Sequence, residues 1–299
     1  QVARVPLPGW PPPCDLVHAT DVVVPFTGRI PAVVTVHDLS FLRAPDHHTP
    51  LNRAALRAIA PRAIRHARLV LADSHATARD LEACYGLPAD RIRVVYPGCA
   101  LERFRPCPGE DAGPVLARYG IERPYLLFVG TLEPRKNLSG LIDAFELLAQ
   151  GGLDHRLVLA GRPGWGFAAI ESRLAAQRSG HRVIRTGRVA EDDLPALYRA
   201  ADAFVYPSHY EGFGLPVLEA MACGTPVVTS DRSSLPEVVG EAGLMVDPGD
   251  VEALARAIAE VLGSGAVRER LRTEGPRRAA AFTWRRAAEQ VAAAYAEVA

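Results

Sequence analysis

The sequence contains almost no lysine. Of its 34 basic residues, 33 are arginine and only Lys136 is lysine. Arginine presents a planar, forked guanidinium, whereas lysine carries a compact charge on a flexible stem. A single lysine in so arginine-rich a chain is therefore a candidate for a chemical role, with retention by chance as the alternative.

Paired cysteines, net charge and long apolar runs are also missing. The five cysteines form no Cys-x-x-Cys pair, which argues against zinc or redox chemistry and favours a reducing compartment. Because 34 acidic residues balance the 34 basic ones, no overall positive field attracts nucleic acid. No apolar run reaches the roughly 18 residues of a membrane-spanning helix, and no secretory signal is recognisable. We therefore expect a cytoplasmic protein that does not bind nucleic acid.

Short apolar runs alternate with helix-length stretches along the chain. Their near-continuous hydrophobicity predicts parallel strands covered by helices on both faces, which is an α/β fold. With 299 residues, and roughly 150 residues per domain, the chain is expected to form two domains. The expected strands span residues 15–18, 32–37, 68–72, 92–95, 125–129, 156–160, 183–186, 203–206, 226–229 and 243–246.

A stretch rich in proline and glycine at residues 97–124 predicts a linker between two unequal halves. Enough strand–helix units follow it for a complete doubly wound lobe, but too few strands precede it. We expect an incomplete N-terminal lobe at 1–110, a C-terminal lobe at 111–283 and a final helix at 284–299. The chain begins with Gln rather than Met, so we expect a processed product or a fragment, with a partner protein over the incomplete lobe as a further expectation.

The segment PSHYEGFGLPVLE at residues 207–219 directly follows an expected strand. Gly214 permits a tight turn, and a helix that starts near Pro216 has the positive N-terminus that binds phosphate. Glu211 and Glu219 flank this turn and can accept hydrogen bonds from the hydroxyl groups of a sugar and a ribose. Favourable pairing with the helix dipole is the alternative role for these carboxylates.

The segment GTLEPRKN at residues 130–137 also follows an expected strand. Gly130 allows close backbone approach, while Arg135 and Lys136 can neutralise the charge of a diphosphate leaving group. Simple surface decoration is the alternative for adjacent cations. No Asp-x-Asp sequence is present to hold a metal on a nucleotide diphosphate, so we expect cationic side chains in place of a metal, and no cofactor.

The segment VTVHDLSF at residues 34–41 brings His37 and Asp38 to the end of an expected strand. A histidine can exchange protons near neutral pH, and a neighbouring carboxylate can orient it or cap the next helix. A purely structural histidine is an equally weighted alternative.

Together these three segments resemble the retaining GT-B glycosyltransferases of family 4, in particular the mannosyltransferases, from about residue 15 to the C-terminus. The resemblance implies two Rossmann-like lobes with parallel sheets. It implies metal-independent transfer of a hexose from a nucleotide-diphosphate sugar, with GDP-mannose favoured and UDP-sugars next, to an alcohol acceptor with retention of configuration. A saccharide or lipid-linked saccharide acceptor in polysaccharide biosynthesis is expected, with peripheral contact at the inner membrane face as a further expectation.

The resemblance also assigns residues by position. The expected catalytic set consists of His37, which matches the acceptor side, together with Arg135, Lys136 and Glu211. The final helix is expected to brace the first lobe. A non-catalytic nucleotide-sugar-binding partner subunit, or an inactive truncated enzyme, remains the alternative. The expected donor-binding residues are Gly130, Arg135, Lys136, Gly161, Arg188, Val189, Glu211, Phe213, Gly214, Leu215 and Glu219.

Overall fold

The computed structural model describes residues 14–23, 27 and 29–298. It divides into two compact units. Unit 1 contains the described residues as far as Gly98 together with those from Trp284 onward, and unit 2 runs from Cys99 to Thr283. None of the helices within the described residues is long and apolar enough to cross a membrane.

Strands and helices alternate through both units. In chain order the strands are β1 (Val17–Ala19), β2 (Ala32–Val36), β3 (Leu69–Ala72), β4 (Ile92–Val94), β5 (Tyr125–Val129), β6 (Arg156–Ala160), β7 (Val183–Gly187), β8 (Ala203–Tyr206), β9 (Val227–Ser230) and β10 (Leu244–Val246). The helices are α1 (Ser40–Arg43), α2 (Pro50–His66), α3 (His75–Tyr85), α4 (Gly113–Arg118), α5 (Leu138–Gln150), α6 (Phe167–Ala176), α7 (Leu194–Ala200), α8 (Leu215–Ala222), α9 (Leu235–Val239), α10 (Val251–Gly263), α11 (Gly265–Ala279) and α12 (Trp284–Ala296). Every expected strand is confirmed, with ends within two residues of the expected ones.

Polar side chains cap the first turns of several of these helices. The Ser74 hydroxyl accepts a hydrogen bond from the backbone N–H of Thr77 at the start of α3. Asn137 and Asp250 cap α5 and α10 in the same way. Such caps satisfy N–H groups that have no partner inside the helix, and each contributes about 1 kcal/mol.

The sheet of unit 1 is parallel, with its described strands in the order β1–β2–β3–β4. Because alternate strand residues point to opposite faces, Val34 and Val70 pack against the α2 and α3 side, while Val33 packs on the other face. Ala287 and Ala294 of α12 belong to this second cluster. The final helix therefore covers one face of the unit 1 sheet.

Unit 2 has a parallel sheet in the order β10–β9–β8–β5–β6–β7. After β5, the chain adds β6 and β7 toward one edge of the sheet, and after β8 it adds β9 and β10 toward the other edge. The strands β5 and β8 pair with each other at the centre. Their carboxyl ends therefore form the topological switch point, where open α/β sheets bind ligands.

Residues 99–110 belong to unit 2 rather than to the N-terminal lobe, which differs from the expected boundary at residue 110. Phe104 is buried and packs edge-on against Tyr198, with ring centroids 6.0 Å apart. The backbone N–H of Cys99 donates to the Phe282 carbonyl at 3.0 Å. Burial of one aromatic ring anchors a stretch whose composition resembles that of a free linker.

Candidate functional site

Two loops lie side by side at the carboxyl ends of β5 and β8. The loop after β5 contains the 3-10 turn Pro134–Lys136, and the loop after β8 contains Glu211. The backbone N–H of His209 donates to the Arg135 carbonyl at 2.9 Å and ties the loops together. Pairing of β5 with β8 thus joins two motifs that are far apart in the chain.

Lys136 and Glu211 form a buried ion pair at this junction. The Lys136 ammonium nitrogen lies 2.6 and 2.9 Å from the two carboxylate oxygens of Glu211 and donates to the Tyr206 hydroxyl at 2.8 Å. The side chains of Lys136 and Glu211 are only 9% and 8% exposed. The single lysine is therefore enclosed, rather than extended into solvent as adjacent surface cations are.

Lys136 and Glu211 each stabilise the ionised form of the other. Burial alone would lower the pKa of Lys136, but the Glu211 carboxylate outweighs it and raises that pKa above its ordinary value. Burial alone would likewise raise the pKa of Glu211, but Lys136 and Arg135 hold it below its ordinary value. Both groups are thus ionised at neutral pH.

Arg135 lies at the edge of this pair. Its guanidinium donates to the Tyr210 carbonyl at 2.8 Å, to Glu211 at 3.2 Å and to Glu133 at 2.9 Å. The two cations therefore share the cluster with two carboxylates, and its net charge is close to zero. Among the described residues, no group of His, Cys, Asp or Glu is arranged to hold a metal ion.

Helix α8 begins beside the Glu211 loop. Gly214 precedes it with φ of 112°, and a Cβ at this position would lie 2.8 Å from Leu235. No side chain caps α8, and Pro216 occupies its first turn. The Ser234 hydroxyl donates to the carbonyls of Glu211, at 3.0 Å, and Phe213, at 2.8 Å. The loop is thereby fixed by a serine that the motif analysis did not identify.

The other expected residues of this segment have separate environments. Phe213 is buried against Phe282, whereas Leu215 is exposed at the start of α8. Glu219 accepts a hydrogen bond from the Tyr198 hydroxyl at 2.9 Å, and burial raises the pKa of its carboxyl to about 7. The two glutamates therefore differ: Glu211 is held ionised, and Glu219 titrates near neutrality.

A cavity of about 330 Å³ opens at the carboxyl ends of β5, β6 and β7. A Cβ on Gly161 would lie only 1.8 Å from the Gly130 carbonyl oxygen, so the adjoining loops approach as closely as they do only because this residue is glycine. Four expected residues line the cavity, together with five that the sequence analysis did not name. The lining residues are Val129, Gly130, Thr131, Ala160, Gly161, Arg162, Arg188, Val189 and Leu194.

His37 lies in unit 1, at the carboxyl end of β2. Its ring nitrogens lie 2.7 Å from the Asp73 carboxylate and 2.9 Å from the Thr20 carbonyl. Both partners are acceptors, so both nitrogens carry protons, and the hydrogen bond to Asp73 raises the pKa of His37 to about 9. Asp38 instead accepts from the backbone and hydroxyl of Ser40. The carboxylate that orients His37 is thus Asp73, which follows a different strand.

A parallel α/β unit with charged side chains at its switch point, and a cavity beside them at the same edge of the sheet, defines a Rossmann-like architecture. The family model described as "Glycosyl transferases group 1" matches residues 118–278, and the model described as "Glycosyltransferase Family 4" matches residues 10–103. The chain belongs to the group 1 glycosyltransferases.

Individual relatives agree with this assignment. An O-antigen chain mannosyltransferase B from Escherichia coli is 38% identical over 266 residues, covering 88% of this chain and 70% of the relative. A D-inositol 3-phosphate glycosyltransferase from Salinispora tropica is 34% identical, covering 90% of this chain but 59% of that protein. The chain thus spans less than two thirds of the second relative.

A solved structure also matches both units. Anabaena Alr3699/HepE in complex with UDP and glucose has a TM-score of 0.80 and 25% identity, covering 95% of this chain and 78% of that one. The expected GT-B fold, with parallel sheets in two α/β lobes, is confirmed. The donor-binding and catalytic roles expected of individual residues remain predictions.

Proposed function

We propose that this protein transfers a hexose from a nucleoside-diphosphate sugar to an alcohol acceptor with retention of anomeric configuration. Similarity to an O-antigen mannosyltransferase favours mannose, from GDP-mannose, as the transferred sugar. The UDP-bound structural relative makes UDP-sugars the next choice. A saccharide or lipid-linked saccharide acceptor in polysaccharide biosynthesis, and a cytoplasmic location with peripheral contact at the inner membrane face, belong to the same proposal.

The switch point of unit 2 is the observation that carries the proposal. There, Arg135 follows β5, one of the strands that line the cavity, and α8 follows the neighbouring strand β8. In the proposed complex, the cavity takes the nucleoside, and Arg135 with the α8 N-terminus takes the diphosphate. Glu219 accepts hydrogen bonds from the ribose.

Glu211 is proposed to fix the donor sugar. Lys136 and Arg135 hold the Glu211 carboxylate ionised in the loop after β8. An ionised carboxylate is a strong hydrogen-bond acceptor, and we propose that a hydroxyl of the donor sugar donates to it. Lys136 keeps the carboxylate charged and oriented, so its proposed contribution to catalysis is to preorganise the site.

Departure of the diphosphate requires neutralisation of its developing charge. Arg135 and the N–H groups at the start of α8 are proposed to supply it without a metal ion. On the acceptor side, the doubly protonated His37 cannot take a further proton. Its proposed role is therefore that of a fixed positive charge rather than a general base.

The test is calorimetric titration of the purified chain with GDP-mannose and UDP-glucose, with and without EDTA. We expect GDP-mannose to bind more tightly and EDTA to have no effect. Arg135→Gln should weaken binding roughly ten-fold, through loss of charge-assisted hydrogen bonds. Arg173→Gln is the matched control, because Arg173 pairs with Asp143 on the surface of the same unit.

Transfer is then measured with a mannosyl acceptor, and the product anomer is assigned by NMR. An α-mannosyl product would support retention. An absolute requirement for Mg²⁺ or Mn²⁺ would contradict the metal-independent mechanism. Tight donor binding without transfer would favour the non-catalytic partner subunit instead.

A further inference from the structure

One wall of the 330 Å³ cavity is formed by Val189 and Leu194. The segment between these residues, 190–193, contains the short 3-10 turn Glu191–Asp193. The position of the wall therefore depends on what holds this turn.

A single hydroxyl group holds both ends of the turn. The Tyr119 hydroxyl donates to the Asp193 carboxylate at 2.7 Å and accepts from the backbone N–H of Ala190 at 3.1 Å. Asp193 is buried, and its pKa is lowered chiefly by this hydrogen bond. The hydroxyl thus connects the first and last residues of the segment that carries the wall.

Other contacts of the turn are more exposed. Arg118 also reaches Asp193, at 2.7 Å, but the arginine side chain is 61% exposed. Arg103 approaches Glu191 and Asp192 at 3.6 and 3.7 Å. Within the segment, the backbone N–H of Asp193 donates to the Ala190 carbonyl at 3.0 Å. Exposed ion pairs contribute little to stability, so Tyr119 is the main side-chain contact that ties this segment to the rest of unit 2.

We propose that Tyr119 is a positioning residue for nucleotide selection. Its hydroxyl fixes the distance of Val189 and Leu194 from the opposite side of the cavity, and this width discriminates between purine and pyrimidine nucleotides. The inference rests on the proposed function in one respect, namely that the cavity takes the nucleoside.

The test compares the dissociation constants of GDP and UDP, measured by calorimetry on the full chain. In the Tyr119→Phe variant, the preference for one nucleotide, measured as the ratio of the GDP and UDP dissociation constants, should fall roughly five-fold. The reason is that a loosened wall fits both bases similarly. Hydrogen exchange at the Ala190 amide should accelerate. Tyr295→Phe is the matched control, because it removes a hydroxyl that bonds His18 at 2.6 Å within unit 1.

Asp193→Asn provides a second variant that keeps an acceptor for Tyr119, and it should shift the ratio less than Tyr119→Phe does. An unchanged ratio in a folded Tyr119→Phe variant would overturn the inference. If Tyr119→Phe does not fold, Asp193→Ala, which removes the acceptor of the Tyr119 hydroxyl, decides in the same way. Failure of the wild type to bind either nucleotide would overturn the proposed function together with the inference. Wild-type binding with identical ratios in all variants would overturn the inference alone.

Discussion

Unit 1 and unit 2 each hold an acid–base pair at the carboxyl edge of a parallel sheet, but the two pairs differ in exposure. In unit 2, the side chains of Lys136 and Glu211 are 9% and 8% exposed. In unit 1, the His37 side chain is 59% exposed and that of Asp73 is 15% exposed. Each pair joins the ends of two adjacent strands.

Exposure decides what each pair can do. Removal of two charges from water costs several kcal/mol per ion, so a buried pair is stable only when both members are present and hydrogen-bonded. An exposed pair is screened by water and contributes little to stability, yet it can still shift a pKa. We therefore expect the unit 2 pair to be required for stability, whereas the unit 1 pair should mainly change the pKa of His37.

The largest effect is expected from breaking the buried pair. Lys136→Met leaves the Glu211 charge with Arg135 alone and should lower the free energy of unfolding by about 3–5 kcal/mol, measured by urea denaturation. The double variant Lys136→Met/Glu211→Gln should lose less, because it leaves no unpaired charge. As a control, Arg173→Met breaks an exposed pair and should cost less than about 1 kcal/mol. Equal losses in the single and double variants would show that pairing is not what stabilises this edge.

A smaller effect is expected from Glu219. Its pKa of about 7 means that the carboxyl ionises between pH 6 and pH 8. An ionised carboxylate accepts stronger hydrogen bonds from ribose hydroxyls than a protonated one does. Affinity for GDP-mannose should therefore rise several-fold over this range, and Glu219→Gln should bind weakly at every pH. Tyr198→Phe should move the midpoint upward, because it removes a donor that favours the ionised form. A flat wild-type profile would exclude Glu219 from the ribose site.

The contribution of Glu219 to folding stability is expected to change with pH in the opposite direction to its contribution to nucleotide affinity. An unfolded carboxyl ionises near its ordinary value of 4.5, whereas the folded one keeps its proton until about pH 7. Stability from this group should therefore fall as the pH rises between these values.

The smallest effect on stability is expected in unit 1. Asp73→Asn removes the main cause of the raised pKa of His37, so the ring should titrate well below its present value of about 9, as followed by NMR. The stability due to the pair is present below the ordinary histidine pKa of 6.5 and is lost as the pH rises through about 9. It should not exceed about 1 kcal/mol, because most of the ring is exposed. Asp38→Asn is the control, and an equal shift in both variants would contradict the pairing.

Local features of the chain were readable from its residues. The apolar runs at 125–129, 156–160 and 203–206 coincide with β5, β6 and β8. Ser74, Asn137 and Asp250 cap helices because their side-chain oxygens reach N–H groups only a few residues away. The glutamate segment and the Arg–Lys pair marked the switch point, because strand-ending loops with glycine and charge are local patterns.

Contacts between distant segments were not readable in this way. Composition resembling a linker concealed the burial of Phe104, and nothing beside His37 in the chain indicated Asp73. Tyr119 and Asp193 lie 74 positions apart, and Lys136 and Glu211 lie 75 apart.

The amino-acid order therefore determines the strands, the helix starts and the family, because hydrophobic period, capping and motif spacing act over a few residues. The charge state of the site follows instead from strand order. Adjacency of β5 and β8 places the single lysine against Glu211, away from water, and adjacency of β2 and β3 leaves His37 beside Asp73 in contact with water. Strand order is a property of the whole packed sheet, and burial, which arises only from packing, decides which of these charges must be paired.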